Sequence, residues 1–375
     1  MEKDKDKDKG LTYKDAGVDI DAANEAVERI KSLVASTRQP WVLAAVGPFS
    51  GSLRLKPIIE TYQDPVLLQS TDGAGTKIMV AETMNKLDTI GIDLVYHCAN
   101  DLITAGPVEF VSFLDYIGTD KLLPAVIEQI MIGLAMACQE VECPIVGGEM
   151  AEMPDIYKAG EHDLIGFMTG VIERDKLIDG SKIQPGDQLI ALASSGLHTN
   201  GYSLARRALP KKYGVPPSFD VIYGQYSEEL GGITIGEALL VPHRLYANIV
   251  RSFIERNDEP AEVHGLAHIT GGGLKDNIRR ILPEGCRAVV YKNRWPVPKI
   301  FSFLQRVGGI AEEEMFRAFN MGIGFVVVVP PWRVAYADQT LNWLCDALLG
   351  RGSGGSVEVF QIGDIKEGER GVEIV

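Results

Sequence analysis

The sequence predicts an α+β fold built from two mixed sheet-and-helix domains. Three observations carry that expectation. The chain has 375 residues, enough for more than one hydrophobic core. Short β-branched runs alternate with amphipathic stretches in both halves. Between the halves, a charged and turn-rich stretch from Arg174 to Gln188, with Pro185-Gly186 as a turn signal, interrupts the pattern. The boundary is therefore expected near Glu173, with a tail over 1–10, a first domain over 11–173 and a second over 174–375.

In the first half, Ile20–Thr37 reads as a helix, capped by Asp21, because Ala23, Val27, Ile30 and Val34 recur at helical spacing. Pro65–Ser70 reads as a strand that runs into a glycine-rich loop. A helix over Thr89–Thr104, a strand over Val108–Leu114 and a long helix over Leu122–Glu142 follow, then strands at Ile145–Gly148 and Leu164–Ile172. The second half offers strands at Gln188–Ala193, Ala288–Tyr291, Gly324–Val329 and Val357–Ile362. Its helices fall near Gly201–Leu209, Gly236–Glu255, Leu274–Leu282, Lys299–Val307 and Ala337–Leu348. Lys211–Asp220 and Arg351–Ser356 read as surface loops. The opening MEKDKDKDKG balances lysine against acid and reads as a disordered tail, with neither the apolar core of a secretion signal nor the pattern of a transit peptide.

Composition excludes several classes of function. Hydrophobic residues at 46% and charged residues at 23% are those of a soluble globular protein. No apolar run reaches the ~18 residues of a membrane span. The net charge of -14 disfavours nucleic acid and anionic membranes as partners, because both reward clustered Lys and Arg. The five cysteines contain no C-x-x-C pair, which argues against a disulfide framework or a structural zinc and for a reducing, cytoplasmic setting.

Chemistry concentrates in a few segments. Thr71-DGAGT-Lys77 follows a strand, and its glycines allow successive N–H groups to face one anion, with Lys77 adding a positive charge. Asp72 would repel a phosphate unless a divalent cation bridged the two, as magnesium does with nucleotide oxygens. In Gly91-IDLVYHCAND-Leu102, Asp93, His97, Asn100 and Asp101 share one helix face. They form either a solvated stripe or a polar line on a buried helix. Val146-GGEMAEM-Pro154 delivers Glu149 beyond a strand. Asp72, Asp101 and Glu149 each lie near an element end, where ligand sites gather. Ser194-SGLHTNGYS-Leu204 and His268-ITGGGLKD-Asn277 each join a strand to a helix whose first amides could hold an anion. Either could be only a tight turn.

Taken in order, Tyr13-KDAGVDIDAA-Asn24, TDGAGTK, DTIGIDL, Asn100-Asp101, GGEMAEMP, DGSKI, SSGLHTNGYSL, ITGGG and Phe319-NMGI-Gly324 resemble the aminoimidazole ribonucleotide synthetase (phosphoribosylformylglycinamidine cyclo-ligase) family over roughly residues 11–330. The resemblance implies an ATP-dependent cyclo-ligase of purine biosynthesis. Formylglycinamidine ribonucleotide would become aminoimidazole ribonucleotide, with ADP and phosphate, through an imidate phosphate. It also implies a homodimer whose N-terminal domains pair sheet to sheet. By the same resemblance Asp72, Asp101 and Glu149 hold Mg2+, and Thr71, Gly73, Gly75, Thr76, Lys77 and Asn100 bind ATP. Lys14, Asp15, Ser195, Gly196, His198, Thr199, Asn200, Gly271 and Gly272 bind the ribonucleotide, and His198 and Lys77 are catalytic. His97 stands where the family is usually apolar and is set aside as a ligand. Another ATP-using relative, such as a small-molecule kinase, and a non-catalytic nucleotide-binding protein are the alternatives. The kinase would lack the SSGLHTNG loop in this form, and the non-catalytic protein could do without the three acids together.

Overall fold

Helix α1 runs Ile20–Ser36 and starts one residue beyond Asp19, whose carboxylate accepts from the amides of Asp21 and Ala22. The cap expected at Asp21 is therefore two residues earlier, because Asp19 keeps the extended backbone that a capping residue needs. The computed structural model describes residues 11–44, 47–210, 218–256, 262–349 and 357–375, with the backbone alone at 348 and 349. The tail over 1–10, residues 211–217 of the Lys211–Asp220 loop, the loop over 351–356 and residues 45 and 46 lie outside the described residues.

After α1 come β1 (Val42–Ala44), β2 (Ser52–Leu53), α2 (Lys56–Ile59), β3 (Pro65–Gly73), α3 (Ile78–Thr83), α4 (Ile90–Ile103), β4 (Glu109–Thr119), α5 (Pro124–Glu140), β5 (Ile145–Glu152) and β6 (His162–Glu173). Four of these strands form one sheet in the order β3-β6-β4-β5, and α1, α4 and α5 cover one face of it. Two glycines let α4 and α5 approach closely. A Cβ on Gly91 would lie 2.3 Å from the Leu134 amide nitrogen, and one on Gly133 would lie 2.4 Å from the Asp88 carbonyl. The opposite face carries Leu67, Leu114 and Phe167, which are 62%, 41% and 46% exposed. Phe167 and Leu114 pair directly across β6 and β4.

The second half contributes β7 (Gln188–Ala193), α6 (Tyr202–Ala208), α7 (Phe219–Tyr223), β8 (Tyr226–Ser227), β9 (Ile233–Thr234), α8 (Ile235–Leu239), α9 (Ala247–Glu255), β10 (Gly265–His268), α10 (Gly273–Ile281) and β11 (Cys286–Val290). Then follow α11 (Lys299–Gly308), α12 (Glu312–Ala318), β12 (Ile323–Val329), α13 (Val334–Leu349), β13 (Val359–Glu367) and β14 (Gly371–Ile374). Its sheet is ordered β10-β12-β7-β13-β11-β14, antiparallel except for the parallel β11–β14 pair. The single helix expected over Gly236–Glu255 is two. A capping box between Thr234 and Glu237 starts α8, and Pro242 interrupts the run before α9 begins. β1, β2, α2, α3, α7, β8, β9, β10, α12 and β14 were not anticipated. Most buried apolar side chains of both halves form one continuous cluster, and Ile58, Val111 and Val171 form a small second one with Trp41, Leu53 and Tyr62.

Candidate active site at the seam between the sheets

Helix α4 sets the site. Its first-turn residues follow Thr89, and its apolar positions face the four-stranded sheet and α5. The remaining stripe, Asp93, His97, Asn100 and Asp101, therefore points at the second half of the chain. That stripe is not solvated, since Asp93, His97 and Asn100 are buried.

Each member meets a partner across the seam. Lys77 Nζ donates to Asp93 Oδ1 at 2.8 Å and to the Val241 carbonyl at 2.9 Å, and both charged side chains are wholly buried. The same Asp93 oxygen accepts from the His243 amide at 2.7 Å. Burial pulls the Lys77 ammonium below its ordinary range and pushes the Asp93 carboxyl above its own, while the opposite charge at 2.8 Å resists both shifts. Lys77 was expected on a phosphate. Its charge is instead taken up by Asp93, and no part of it is open to a ligand.

Asn100 was expected at ATP. It is a strap: Oδ1 accepts from the amides of Tyr246 and Ala247 at the start of α9, and Nδ2 donates to the Arg244 carbonyl at 2.7 Å. It thus satisfies amides that a helix start leaves free.

Asp72 lies near the end of β3 with Oδ2 2.9 Å from His97 Nε2, and its Oδ1 accepts from the Gly73 amide. His97 Nδ1 is 2.7 Å from Thr199 Oγ1. Burial drags the His97 imidazole down, but Asp72, joined by the Asp101 and Asp93 carboxylates, outweighs it and the pKa rises above its ordinary value. Asp101 Oδ1 is 2.7 Å from His268 Nδ1. Burial raises the Asp101 carboxyl, yet the His268 contact brings it below the usual carboxylate value. Asp72 and Asp101 remain 31% and 36% exposed at their side chains, so they are the part of this network that an incoming ligand can reach.

Glu149 does not join them. Across the sheet, Asp72 pairs with Gly166, Gly166 with Asp115, and Asp115 with Gly148. Three strand spacings separate that row's ends, about 14 Å. Glu149 lies one row on, beside Tyr116, and so points to the opposite face. The expected three-acid cluster is thus two acids within one chain. Glu149 instead lines a cavity of about 950 Å3 with Val27, Pro48, Phe49, Leu114 and Phe167.

The other anticipated residues divide between two places. Lys14 and Asp15 occupy an exposed turn: Lys14 pairs with Asp19 at 2.6 Å, and Asp15 accepts from Thr12. Contacts of Asp19 with Glu152 and of Gly17 with Pro154 hold this turn at the β5 edge, far from β3. Thr71 is exposed on β3, Gly73 ends that strand, and Gly75 takes a left-handed φ of 56°. Thr76 Oγ1 is 3.1 Å from Ser203 Oγ in the first turn of α6, and a Cβ on Gly75 would lie 3.9 Å from the Thr199 carbonyl, so the TDGAGTK segment docks where the SSGLHTNG loop runs into α6.

In that loop Ser195 Oγ donates to the Pro242 carbonyl, and Gly196 is buried. His198 adopts a left-handed φ of 63° and is only 1% exposed. Its ring stacks on His243 with centroids 4.0 Å apart, and burial drives its pKa well below the ordinary value. His198 and Thr199, expected to contact substrate, therefore face inward to the seam. Asn200 and Gly271 stay partly or wholly exposed; a Cβ on Gly271 would sit 3.6 Å from Asn200 Nδ2. Gly272, with φ 95°, precedes α10.

Sequence reasoning missed His243 and His268 and set His97 aside. All six histidines are buried, and four of them gather here. The usable signal was that several polar residues fell on otherwise apolar segments, as in VPHR and LAHI.

The sequence profile of the AIR synthase related protein N-terminal domain matches residues 57–172, and that of the C-terminal domain matches residues 184–372. The chain belongs to the AIR synthase related family. A phosphoribosylformylglycinamidine cyclo-ligase of Geotalea daltonii is 46% identical over 371 residues, covering 97% of this chain and 98% of the relative. One from Carboxydothermus hydrogenoformans is 45% identical over 364 residues, covering 97% and 98%. The activity is accordingly that of a cyclo-ligase forming a C–N bond in purine biosynthesis. The fold is shared more widely. Thiamine-monophosphate kinase from Stenotrophomonas maltophilia K279a superposes with a TM-score of 0.62 at 14% identity, over 93% of this chain and 95% of that one. Hydrogenase maturation protein HypE in complex with ATP superposes at 0.59 and 18% identity, over 93% and 91%.

Proposed function

We propose that the ring closure is driven by ATP with Mg2+, and that Asp72 and Asp101 carry the metal. The observation that supports this most directly is the pair of part-exposed carboxylates at the seam, each oriented from behind by a buried imidazole. The donor set fits the ion: Mg2+ is held by one or two carboxylates plus phosphate oxygens, and each carboxylate has lone pairs left after its histidine contact. Bound there, Mg2+ would neutralise charge on the triphosphate. The remaining work falls to the chain. The exposed faces of Gly75, Asn200 and Gly271 border the same seam and suit the ribonucleotide, and the TDGAGTK segment held against Thr199 and the start of α6 keeps the two segments in register.

The chemistry asks for positioning. An amide oxygen is a poor leaving group until it receives the γ-phosphoryl group as an imidate phosphate. A nitrogen of the same molecule then attacks that carbon, and phosphate leaves. Phosphoryl transfer depends on alignment and charge neutralisation, and intramolecular attack on holding the folded conformer away from water. The first unit, over 11–173, would hold ATP and metal, and the second, over 174–375, the ribonucleotide. That HypE binds ATP in the same fold is in keeping with this reading.

We further infer a homodimer formed through the apolar sheet face that carries Leu67, Leu114 and Phe167. Among the described residues no helix is long and apolar enough to cross a membrane, and the cysteines are free and buried, which agrees with a cytoplasmic enzyme. The deciding experiment is Asp72→Asn, assayed for aminoimidazole product from ATP, Mg2+ and formylglycinamidine ribonucleotide. Turnover is expected to vanish with an unchanged far-UV spectrum. Normal turnover would remove Asp72 from the metal site.

A further inference from the structure

Thr199 was expected to contact the ribonucleotide, yet its side chain is buried and its hydroxyl is engaged by the other half of the chain. Thr199 Oγ1 lies 2.7 Å from His97 Nδ1, and the opposite nitrogen of that ring lies 2.9 Å from Asp72 Oδ2. We infer that Thr199 is a positioning residue for the reaction: acting through His97, its hydroxyl fixes the Asp72 carboxylate in the orientation that receives the metal. The inference rests on the assignment of Mg2+ to Asp72, and it gives the Thr199 side chain no contact with substrate.

Asp72 is held at both oxygens. Oδ1 accepts from the Gly73 amide at 2.8 Å and Oδ2 from His97 Nε2, which sets the plane of the carboxylate and leaves lone pairs for an ion. His97 is held along one line, between Asp72 at Nε2 and Thr199 at Nδ1. The rings of His243 and His268 flank it, each with its centroid 5.3 Å away. Without the hydroxyl, Nδ1 becomes a buried nitrogen with no partner, and turning the ring to find one carries Nε2 off Asp72. The hydroxyl serves both charge states of the imidazole. It donates to a bare Nδ1 and accepts from an Nδ1–H, and in each case Nε2–H faces Asp72.

The hydroxyl is itself well anchored. Ser194 Oγ is 3.0 Å from Asn320 Oδ1, Ser195 Oγ donates to the Pro242 carbonyl, and His198 turns the chain through its left-handed φ. The other contact of Thr199 Oγ1, 3.5 Å from His243 Nδ1, stands at the limit of a hydrogen bond, so His97 is its principal partner. The arrangement acts on Asp72 alone. Behind Asp101, the far nitrogen of His268 meets His243 Nε2 at 3.0 Å and no hydroxyl. Asn200, the next residue along, stays partly exposed at the seam. One loop therefore braces the carboxylate that carries the metal and borders the ribonucleotide, which sets both ligands in a common frame.

The test titrates Mn2+, standing for Mg2+, into the full chain without nucleotide and follows the free ion by paramagnetic resonance. Thr199→Val keeps the shape and removes the hydroxyl. It should weaken Mn2+ binding about tenfold, and Thr199→Ser should restore it. In turnover, Thr199→Val should raise the Mg2+ concentration at half-maximal rate about tenfold and leave KM for formylglycinamidine ribonucleotide in place. A raised ribonucleotide KM with unchanged Mn2+ affinity means contact with substrate and overturns the inference. A Thr199→Ser protein that binds Mn2+ no better than Thr199→Val overturns it too. In a His97→Met background Thr199→Val should add no loss, and a second full loss there removes the route through His97. Asp72→Asn separates this result from the metal assignment. If that variant loses Mn2+ while Thr199→Val binds it like the wild type, only the role of Thr199 falls. If Asp72→Asn binds Mn2+ like the wild type, the metal assignment falls and takes the inference with it.

Discussion

Lys77 shows how a residue can match a motif and still do different work. In TDGAGTK a lysine after glycines suggests a phosphate ligand, but the side chain turns inward to a fully buried pair with Asp93. What decides this is the helix α4 stripe, which brings a carboxylate into the seam where only a cation can compensate it. Removing one partner of such a pair leaves an uncompensated buried charge, which costs about 3–5 kcal/mol. Lys77→Met should therefore lower stability by roughly that amount in urea denaturation, and Lys77→Met with Asp93→Leu should recover a large part of the loss. A phosphate ligand behaves differently: the single variant would keep its stability and lose only nucleotide affinity. His97 is the converse case. Its position in the motif argued against a role, and its contact with Asp72 at 2.9 Å gives it one.

At the scale of elements, hydrophobic periodicity located α1, α4, α5, β7 and α11 to within a few residues, because each has a long apolar face and a clear cap or turn beside it. It failed where tertiary contacts decide. β10 and β14 have too few residues for a visible period, and the break between α8 and α9 depends on Pro242 and on the Asn100 strap. The polar members of the site were legible as residue types, but their partners were not. Partners depend on which way β3 and α4 face the second sheet. β4 gives a test at this scale. Asp115 is buried beside Gly148 with its carboxyl pushed by desolvation to about 7. Its folded value lies above the unfolded one, so the folded state binds the proton more tightly. The resulting stability is complete below the unfolded value of 3.8 and is lost as pH rises towards about 7. Over about three pH units the difference reaches ~4 kcal/mol. Asp115→Asn, which cannot ionise, should exceed the wild type in stability at pH 8 and match it near pH 4. Parallel stability curves for the two proteins across that range would show that Asp115 ionises without penalty.

For the whole molecule, the separation of Glu149 from Asp72 is the feature with the largest consequence. The two acids belong to opposite edges and opposite faces of one sheet, because strand register alternates side chains from face to face. Glu149 shares its face with Leu114 and Phe167, the surface inferred to meet a second copy. A sheet face that pairs with itself about a two-fold axis needs apolar side chains at its centre, and Phe167 opposite Leu114 supplies them. An arginine placed there would confront its own symmetry mate, combining like charge with lost apolar burial. Leu114→Arg should therefore sediment as a monomer at concentrations where the wild type is a dimer. Leu114 is 41% exposed in the single chain, so the monomeric variant should keep the wild-type far-UV spectrum. Its cyclo-ligase turnover separates two cases. A fall in proportion to the lost dimer means that Glu149 acts through the pairing, whereas full turnover in the monomer confines the chemistry to the Asp72–Asp101 side of the sheet. A wild type that sediments as a monomer under assay conditions would eliminate the interface altogether.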